Sequence, residues 1–322
     1  MPASQWPSIT AVTLNFGAPD DTLECVRSLI ATGYPSLRII VVDNGSATEH
    51  RTRLTRDLPA GVEIIQSEEN LGFAGGNNLG IQRALASGTD LVLLINNDAV
   101  LERDALRILT RTAERIPRLG VLGCKILVAG NGATPRIWSA GGTWSPLRAS
   151  GFPTGIHEPD RGQFDREGER DFLAACLWVI PVAVLREAGL LDEEFFLYAE
   201  DLDYCLRLRE KGYQVYYEPK AICIHKVSGS HWDDRDRASP TLNYYTNRNR
   251  MLIARRWLNP LQKLVFVPYL LLSRLVLAVT RWDRTYLWGI WDGLRGRTGP
   301  WRRTREAERG LPSEGPAQAA SR

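Results

Sequence analysis

The sequence predicts an α/β fold in which a mostly parallel β-sheet is covered by helices on both faces. Up to residue 130, short apolar runs alternate with stretches of helical periodicity. The runs are nearly continuous in Val, Ile and Leu, which is typical of parallel strands buried on both sides. The composition is that of a globular protein, with 44% hydrophobic and 24% charged residues. The 322 residues suit one large domain or two smaller ones.

The predicted sheet occupies the first part of the chain. Its strands are residues 9–14, 37–42, 62–66, 91–95 and 121–127. Three helices are predicted between them. The first is capped by Asp20 or Asp21 and ends at Gly33, and the other two are residues 77–87 and 102–115. Ligands of such a sheet bind beyond the carboxyl ends of its strands. The strand ends to inspect therefore carry Asn15, Asp43 and residues 96–98.

The second half is predicted to be less regular before it becomes helical. Residues 129–171 are rich in Gly, Pro, Arg and Trp, and we interpret them as loops and short strands that line a cleft. Order is predicted to return at 172–179. The elements after it are helices at 182–188 and 201–211, a strand at 214–217 and helices from Asn243 onward. The predicted division is a main domain at 1–255, with halves at about 9–128 and 129–255, a helical extension at 256–301 and a disordered tail at 302–322.

Charge and cysteine content exclude several classes of protein. A net charge of +3 is too small to indicate nucleic-acid binding. The five cysteines are scattered and contain no C-x-x-C pair, so neither a disulfide framework nor a zinc site is expected. Free, mostly buried thiols in a reducing cytosol are the simplest interpretation. Residues 1–8 lack the charged and apolar segments of a signal peptide.

Two strand ends carry residues suited to a nucleotide. The run VVDNGS places Asp43 where it could accept hydrogen bonds from a base or ribose, although an Asx turn would use the same residues. The run NLGFAGGNNLG, which contains Gly72, Asn77 and Asn78, would let backbone amides approach an anion at a helix N-terminus. The alternative is a tight turn with Asn77 as the N-cap. Neither the G-x-G-x-x-G spacing nor a P-loop is present.

Two further runs suggest a metal site. LLINND ends a strand with Asn96, Asn97 and Asp98, whose oxygens suit Mg²⁺ or Mn²⁺ on a diphosphate. EPKAICIH ends with His225, a possible third ligand beside Asp98. A strand-end turn and a structural histidine are the alternatives.

The run LDEEFFLYAEDLDYCLR places carboxylates among aromatic residues at the start of a helix. A carboxylate such as Glu200, set against aromatic side chains, has a raised pKa and can act as a general base. The alternative is that Asp201 and Asp203 simply cap the helix.

Taken in order, these runs resemble family 2 glycosyltransferases, and most of all the rhamnosyltransferase-like branch of bacterial cell-surface polysaccharide synthesis. The matching segments are VVDNGS, NLGFAGGNN, LLINNDAVL, LDEEFFLYAEDLDYCLRLREKGY, EPKAICIH and YYTNRNRMLIAR. The resemblance implies a GT-A fold over 1–255, with a donor half and an acceptor half. It also implies transfer of a sugar from a nucleotide-sugar donor to a saccharide acceptor, often lipid-linked, with inversion at the anomeric carbon. It favours dTDP-rhamnose as donor, with UDP- and GDP-sugars open.

The resemblance also implies roles for individual residues. Asp201 would be the catalytic base, with Glu200 as its neighbour in the motif. The donor-binding residues would be Asn15, Asp43, Gly72, Asn77, Asn78 and Asn97. The Mg²⁺ or Mn²⁺ ligands would be Asn96, Asp98 and His225. Two departures from the family pattern are the neutral Asn96, where many relatives carry an acid, and the run FLAACL at 172–177, which lacks a glycine.

Three other functions compete with this one. A nucleotide-dependent oxidoreductase would need G-x-G-x-x-G after the first strand, where NFGAP stands instead. An inactive nucleotide-sugar-binding subunit would have no need of Asp98, Asp201 and His225 together. A metal-dependent hydrolase would be separated from a transferase by incubation with nucleotide-sugars.

The apolar stretch at 261–280 predicts a membrane contact. A spanning helix needs about 20 predominantly apolar residues. Gln262, Lys263 and Arg274 interrupt this stretch, and Pro268 kinks it. Arginines and tryptophans on both sides favour a helix lying in the membrane interface. We therefore predict a cytoplasmic enzyme bound peripherally to the inner face of the plasma membrane. Helices packed on the domain, or a dimer contact, are the alternatives.

Overall fold

The computed structural model describes residues 6–130, 134–227 and 239–301. The strands, numbered β1 to β12 in chain order, are Ile9–Asn15, Leu37–Asn44, Glu63–Ser67, Leu91–Asn96, Ala99–Leu101, Leu119–Val128, Arg136–Ser139, Gly142–Ser145, Ser150–Pro153, Gly168–Glu169, Leu177–Pro181 and Gln214–His225. The helices, α1 to α9, are Pro19–Ala31, Thr48–Asp57, Gly72–Ala86, Ala105–Arg115, Val182–Ala188, Glu200–Glu210, Pro240–Trp257, Pro260–Thr280 and Thr285–Leu294.

One large sheet organises the protein, in the order β3-β2-β1-β4-β11-β6-β12-β10. Strands β3, β2, β1 and β4 are parallel, and β6 and β12 are parallel to each other. Strand β11 is antiparallel to both of its neighbours, β4 and β6, so the long strands on either side of it point the same way. The predicted α/β fold with a mostly parallel sheet is confirmed. The carboxyl ends of β1, β2 and β4 consequently meet at one edge.

Apolar side chains cover both faces of the sheet. Val12 and Ile40 belong to the core cluster on one face, and their neighbours Ala11 and Ile39 belong to the cluster on the other. Alternate residues of one strand point to opposite faces. The strands are therefore apolar at nearly every position, which is the pattern that predicts them in the sequence. All five cysteines are buried and free, as predicted.

Helix α3 begins earlier than predicted. It starts at Gly72, so Asn77 lies in its second turn and is not an N-cap. Glycines on its inner face let it approach the sheet closely: a Cβ at Gly76 would lie 2.4 Å from a methyl group of Leu14, and one at Gly80 would lie 2.2 Å from a methyl group of Val12. This face of α3 carries glycine where a typical helix carries leucine, so the apolar periodicity of the helix is weak. The helix predicted from the sequence is therefore too short.

Several other boundaries differ from prediction. Ala18 is the N-cap of α1, and Asp20 and Asp21 lie in its first turn without a side-chain cap hydrogen bond. The helix predicted at 102–115 starts at Ala105, and the strand predicted at 214–217 runs on to His225. Within the segment where order was predicted to return, 172–179, a strand begins only at Leu177 and runs to Pro181. Helix α2 was not predicted. Only Leu54 among its ten residues is buried, so it has almost no apolar stripe to detect.

The C-terminal helices pack on the rest of the chain. Arg274 of α8 points inward, and its Nε donates to Asn247 Oδ1 of α7 at 2.7 Å. Helix α8 is long and apolar enough to cross a membrane by length and composition, with a mean hydropathy of 1.7, and only 17% of that stretch is buried. The predicted domain boundaries remain predictions, and the tail predicted at 302–322 lies outside the described residues.

Candidate active site

A hydrogen-bonded network fixes the polar residues at the ends of β1 and β2. Asn15 Nδ2 donates to Asp43 Oδ1 at 2.8 Å and to Ser46 Oγ at 3.1 Å. Arg51 Nε donates to the other carboxylate oxygen of Asp43 at 3.1 Å. The Asp43 side chain is fully buried, and these donors compensate the cost of burying its charge. A fixed acceptor therefore stands at the head of the crevice.

The network extends to the end of β4 through Thr22. Its hydroxyl donates to Asn15 Oδ1 at 2.8 Å and accepts from Asn97 Nδ2 at 3.1 Å. Asn15, Asp43 and Asn97, which were predicted separately from three strand ends, are thus brought together. Thr22 and Arg51 were missed, because a residue that supports a site from a neighbouring helix leaves no motif of its own. Ser46 belongs to the run VVDNGS, but no role beyond a turn was predicted for it.

Gly72, in the glycine-rich run NLGFAGGNNLG, closely contacts the segment that precedes the proposed base, Asp201. Its φ is +74°, and a Cβ there would lie 2.3 Å from the carbonyl oxygen of Phe196. Phe73 N donates to that same oxygen at 2.6 Å. Asn44 Nδ2 donates to Gly72 O at 3.1 Å from the other side. Gly72 is therefore required by backbone conformation and by close contact.

The two asparagines of α3 use their amides within the protein. Asn77 Nδ2 donates to Phe73 O one turn earlier at 2.9 Å. Asn78 Nδ2 donates to Leu191 O and to Glu193 Oε1, both at 2.9 Å, and Asn78 Oδ1 accepts from Leu191 N at 3.1 Å. Asn78 thus joins α3 to the segment leading to the base. Their predicted role in donor binding remains a prediction.

Asp98 and His225 lie side by side at the metal-binding position predicted from sequence. His225 Nε2 is 3.0 Å from Asp98 Oδ1. Two ligand atoms about 2.1 Å from an octahedral Mg²⁺, at right angles, lie about 3.0 Å apart. The pair therefore fits two adjacent positions on such a cation, which would replace the direct contact between them. Within the described residues, His225 Nδ1 is buried and has no hydrogen-bond partner.

Asn96 is the remaining member of the predicted ligand set. It ends β4 beside Leu14 of β1, and its backbone N–H donates to Cys176 O at 2.9 Å. No three His, Cys, Asp or Glu side chains of the described ranges surround a common point. A metal held here would therefore need the amide oxygen of Asn96, or oxygens of the ligand and water, besides Asp98 and His225.

Glu200 and Asp201 open α6 as a pair of carboxyl groups with raised pKa values. Burial raises the pKa of Asp201 to about 6, partly offset by backbone N–H groups of Leu202 and Ala175. Burial and the neighbouring Asp201 charge raise the pKa of Glu200 well above its ordinary value. Among the described residues, Glu200 Oε2 has no hydrogen-bond partner. The raised pKa of Glu200 favours its neutral form, whereas Asp201, with a pKa of about 6, is ionised near pH 7 and able to accept a proton.

The proposed base Asp201 and the proposed metal ligand Asn96 are joined through one backbone segment. Ala175 hydrogen-bonds the Asp201 carboxylate, and the next carbonyl, that of Cys176, accepts from Asn96 N at 2.9 Å. Residues from three distant parts of the sequence are consequently joined through this segment. The run FLAACL, which departs from the family pattern, forms this connection.

Asp203 has a structural role. It is fully buried, and its carboxylate accepts from Arg207, Arg256 and Trp257 at 2.9, 3.1 and 3.0 Å. With both oxygens occupied, Asp203 is not available as a base. The alternative that Asp201 and Asp203 cap the helix does not hold for the N-cap position, which is Ala199; both residues lie in the first turn of α6.

The backbone before the proposed base, Asp201, is strained and held by α7. Phe196, Tyr198 and Ala199 have φ values of 60°, 69° and 66°, which are unfavourable for residues with a Cβ. Asn249 Nδ2 lies 3.0, 2.8 and 2.6 Å from the carbonyl oxygens of Phe195, Leu197 and Tyr198. Arg248 donates to Phe195 O as well. The signal in the sequence is the run NRNR, four polar residues that are all buried in a helix.

The fold agrees with the comparisons to known proteins. The chain belongs to the family described as "Glycosyltransferase like family 2", whose model matches residues 7–240. The expected family is thereby confirmed, although the comparisons do not support the rhamnosyltransferase branch specifically. Within the matched range lie the strand-end network, the Asp98–His225 pair and the Glu200–Asp201 pair.

Two curated relatives act in glycan synthesis. The chain is 24% identical over 254 residues to the low-salt glycan biosynthesis hexosyltransferase Agl10 of Haloferax volcanii, covering 76% of this chain and 74% of that protein. It is 25% identical over 222 residues to a poly-beta-1,6-N-acetyl-D-glucosamine synthase of Staphylococcus epidermidis, covering 67% of this chain. The match spans 49% of the synthase, about half of its length.

Solved structures confirm the GT-A fold. GalNAc-T7 with UDP, GalNAc and Mn²⁺ has a TM-score of 0.60 at 15% identity and covers 81% of this chain and 50% of that one. The Pyrobaculum calidifontis mannosyltransferase PcManGT with GDP-Man and Mn²⁺ has a TM-score of 0.51 at 14% identity, covering 96% of this chain and 77% of that one. At these identities the likeness concerns the fold alone.

Proposed function

We propose that this protein transfers a sugar from a nucleotide-sugar to an acceptor hydroxyl with inversion at the anomeric carbon. The observation that supports it most directly is the Asp201 carboxylate, with a pKa of about 6, connected through Ala175–Cys176 to the Asp98 and His225 side of the crevice. An oxidoreductase or a simple binding protein would have no use for a base poised beside a metal-ligand pair.

The proposed reaction assigns a task to each group. Asn15 and Asp43 hold the nucleoside of the donor, with Asn97 beside them. Asp201 takes the proton of the acceptor hydroxyl as that oxygen bonds to the anomeric carbon, and the bond to the departing nucleoside diphosphate breaks on the opposite face. General-base help of this kind is typically worth about 10²–10⁴-fold. A bound Mg²⁺ or Mn²⁺ on Asn96, Asp98 and His225 would neutralise charge on the diphosphate.

The donor is proposed as a class, and a panel tests it. Relatives and structural neighbours include a hexosyltransferase and proteins crystallised with GDP-Man or UDP-GlcNAc, and the sequence resemblance adds dTDP-rhamnose. Each nucleotide-sugar should be incubated with the protein and released nucleoside diphosphate measured. Release from none of these donors, with or without saccharide acceptors, would overturn the proposal.

Metal removal is expected to abolish transfer. The proposed ligand Asn96 is neutral, where many relatives carry an acid. With only Asp98 and His225 besides it, the cation should be held weakly and EDTA should remove it. Adding excess Mg²⁺ or Mn²⁺ should restore nucleoside diphosphate release, and Asp98→Ala should weaken the metal-dependent rise in melting temperature on adding UDP or GDP. Full activity in EDTA would contradict the metal assignment.

We further propose that the outer face of α8 lies on the inner leaflet, where a lipid-linked saccharide acceptor would be presented. The inward turn of Arg274 leaves that face free of charge. Its exposed residues are Leu261, Leu264, Val265, Leu272, Leu275, Val276 and Val279. Exposed Arg281, Arg284 and Arg295 lie just beyond the end of α8, in the loop after it and at the end of α9. An apolar face bordered by arginines is suited to an anionic membrane surface.

Vesicle flotation tests this placement. The protein is expected to float with phosphatidylcholine vesicles that contain phosphatidylglycerol, and less so at high salt, because exposed arginines contribute roughly 1 kcal/mol each against anionic lipid. Leu272→Asp should reduce flotation, whereas Ile30→Asp, an equally drastic change on an exposed position of α1, should not. A protein that stays soluble in every condition would support packed or dimer-forming helices instead.

A further inference from the structure

A cleft of about 530 Å³ opens on the C-terminal side of the chain, away from the strand ends. It lies between the start of α7, α9 and the segment that follows α9. Its principal lining residues are Tyr244, Trp288, Trp291, Asp292, Arg297 and Trp301. Four aromatic side chains around one carboxylate and one guanidinium are an uncommon lining, and the proposed reaction does not use them.

The aromatic rings and the polar groups of the cleft are held in place. Tyr244 and Trp301 are stacked with ring centroids 4.6 Å apart and planes 13° apart. Tyr244 OH donates to Asp292 Oδ2 at 2.8 Å, and Arg297 Nη1 donates to Asp292 Oδ1 at 2.9 Å. Each carboxylate oxygen can accept further hydrogen bonds, and the guanidinium has further donors. The cleft therefore offers flat apolar surfaces beside a fixed polar pair.

This combination fits a sugar ring better than a lipid chain. A pyranose has a face of C–H groups, which packs on an aromatic ring, and a rim of hydroxyls, which needs donors and acceptors. An acyl or prenyl chain would gain nothing from Asp292 and Arg297. We propose that this cleft binds a sugar residue of the acceptor saccharide, at some distance from the hydroxyl that reacts. This inference rests on the proposed transferase function.

The cleft is continuous with the segment that carries the base. Tyr244 packs edge-on against Tyr245 at 5.2 Å, and Tyr245 stacks on Phe196 at 5.3 Å. Trp301 N donates to Tyr245 OH at 2.7 Å. Phe196 opens the strained turn that ends at Glu200 and Asp201. A saccharide of several residues could thus hold one ring in the cleft while its terminal hydroxyl approaches Asp201.

Trp291 provides the test, because it is 54% exposed and its replacement should leave the fold intact. Binding should be measured to immobilised tetrasaccharides: chitotetraose, cellotetraose, α-1,6-linked mannotetraose and β-1,6-linked tetra-N-acetylglucosamine. We expect at least one to bind and Trp291→Ala to weaken it about tenfold, which is the loss of one stacked ring. Trp291→Phe should retain most of the binding. Trp282→Ala, a tryptophan 94% exposed outside the cleft, should change nothing.

Two further measurements separate the possible outcomes. Nucleoside diphosphate release to water, measured without acceptor, should be equal in Trp291→Ala and the unsubstituted protein, since the donor site is untouched. The cleft proposal is overturned if no tetrasaccharide binds, or if Trp291→Ala binds as well as Trp291→Phe. It is also overturned if farnesyl phosphate is what the cleft binds and Trp291→Ala weakens only that ligand. Absence of nucleoside diphosphate release with intact tetrasaccharide binding would overturn the transferase function alone.

Discussion

Asp201→Asn is expected to lower turnover by about 10²-fold or more while nucleotide binding persists, because the amide cannot take the acceptor proton. In the unsubstituted protein, kcat/KM should fall as the pH drops below about 6, where Asp201 becomes protonated. The variant should lose that acidic limb. The measurement is initial rate against pH, with binding of UDP or GDP followed by melting temperature.

Two comparisons make the Asp201 result specific. Asp98→Ala should impair nucleotide binding, so the two variants should separate binding from turnover. Asp203→Asn should instead lower the melting temperature, because it disturbs a fully buried carboxylate that accepts from Arg207, Arg256 and Trp257. Normal turnover by Asp201→Asn would move the role of base to Glu200.

Gly72→Ala is expected to destabilise the protein strongly and to lower transfer further than its stability loss explains. The new Cβ would lie 2.3 Å from Phe196 O and would have to displace the strained turn before Asp201. Left-handed backbone and steric overlap together cost about 2 to 5 kcal/mol. The measurements are the free energy of unfolding in urea and the rate of nucleoside diphosphate release at a temperature where the variant is folded.

The chain offers a matched control in Gly88. Its φ is also +74°, but an added Cβ there would meet nothing within 4 Å. Gly88→Ala should therefore show only the backbone cost, about 1 to 2 kcal/mol, with unchanged catalysis. Equal losses in the two variants would mean that the contact with Phe196 is unimportant and that the loop does not control the base.

The sequence predicts the sheet and the location of the site because both follow from short-range patterns. Strands buried on both faces are apolar at nearly every position, so polar residues stand out where those strands end. Asn15, Asp43 and Asp98 were identified in this way. The residues of β11 do not indicate that this strand lies between β4 and β6 and runs antiparallel to both.

The supporting contacts could not be predicted, since they join residues that are distant in sequence. Arg51 lies on a polar helix without an apolar stripe, and nothing local indicates that it reaches Asp43. Asp203 and Asp201 have the same side chain and are two residues apart. Asp203 is nevertheless enclosed by three hydrogen-bond donors, whereas Asp201 is partly exposed. Arg274 interrupts the apolar stretch in the sequence, but in the structure it faces α7.

Asn249 gives the C-terminal helices a part in shaping the candidate active site. The family match ends at residue 240, where α7 begins, yet the amide that spans three carbonyls of the 195–198 turn comes from the middle of α7. A shortened chain designed on the family boundary would keep the strand-end and carboxylate runs, but it would lose YYTNRNRMLIAR and with it the contacts that Asn249 makes to the turn before Asp201. The helices that follow the matched region therefore cannot be removed without disturbing the 195–198 turn. Exchanging them between relatives would require exchanging that turn as well.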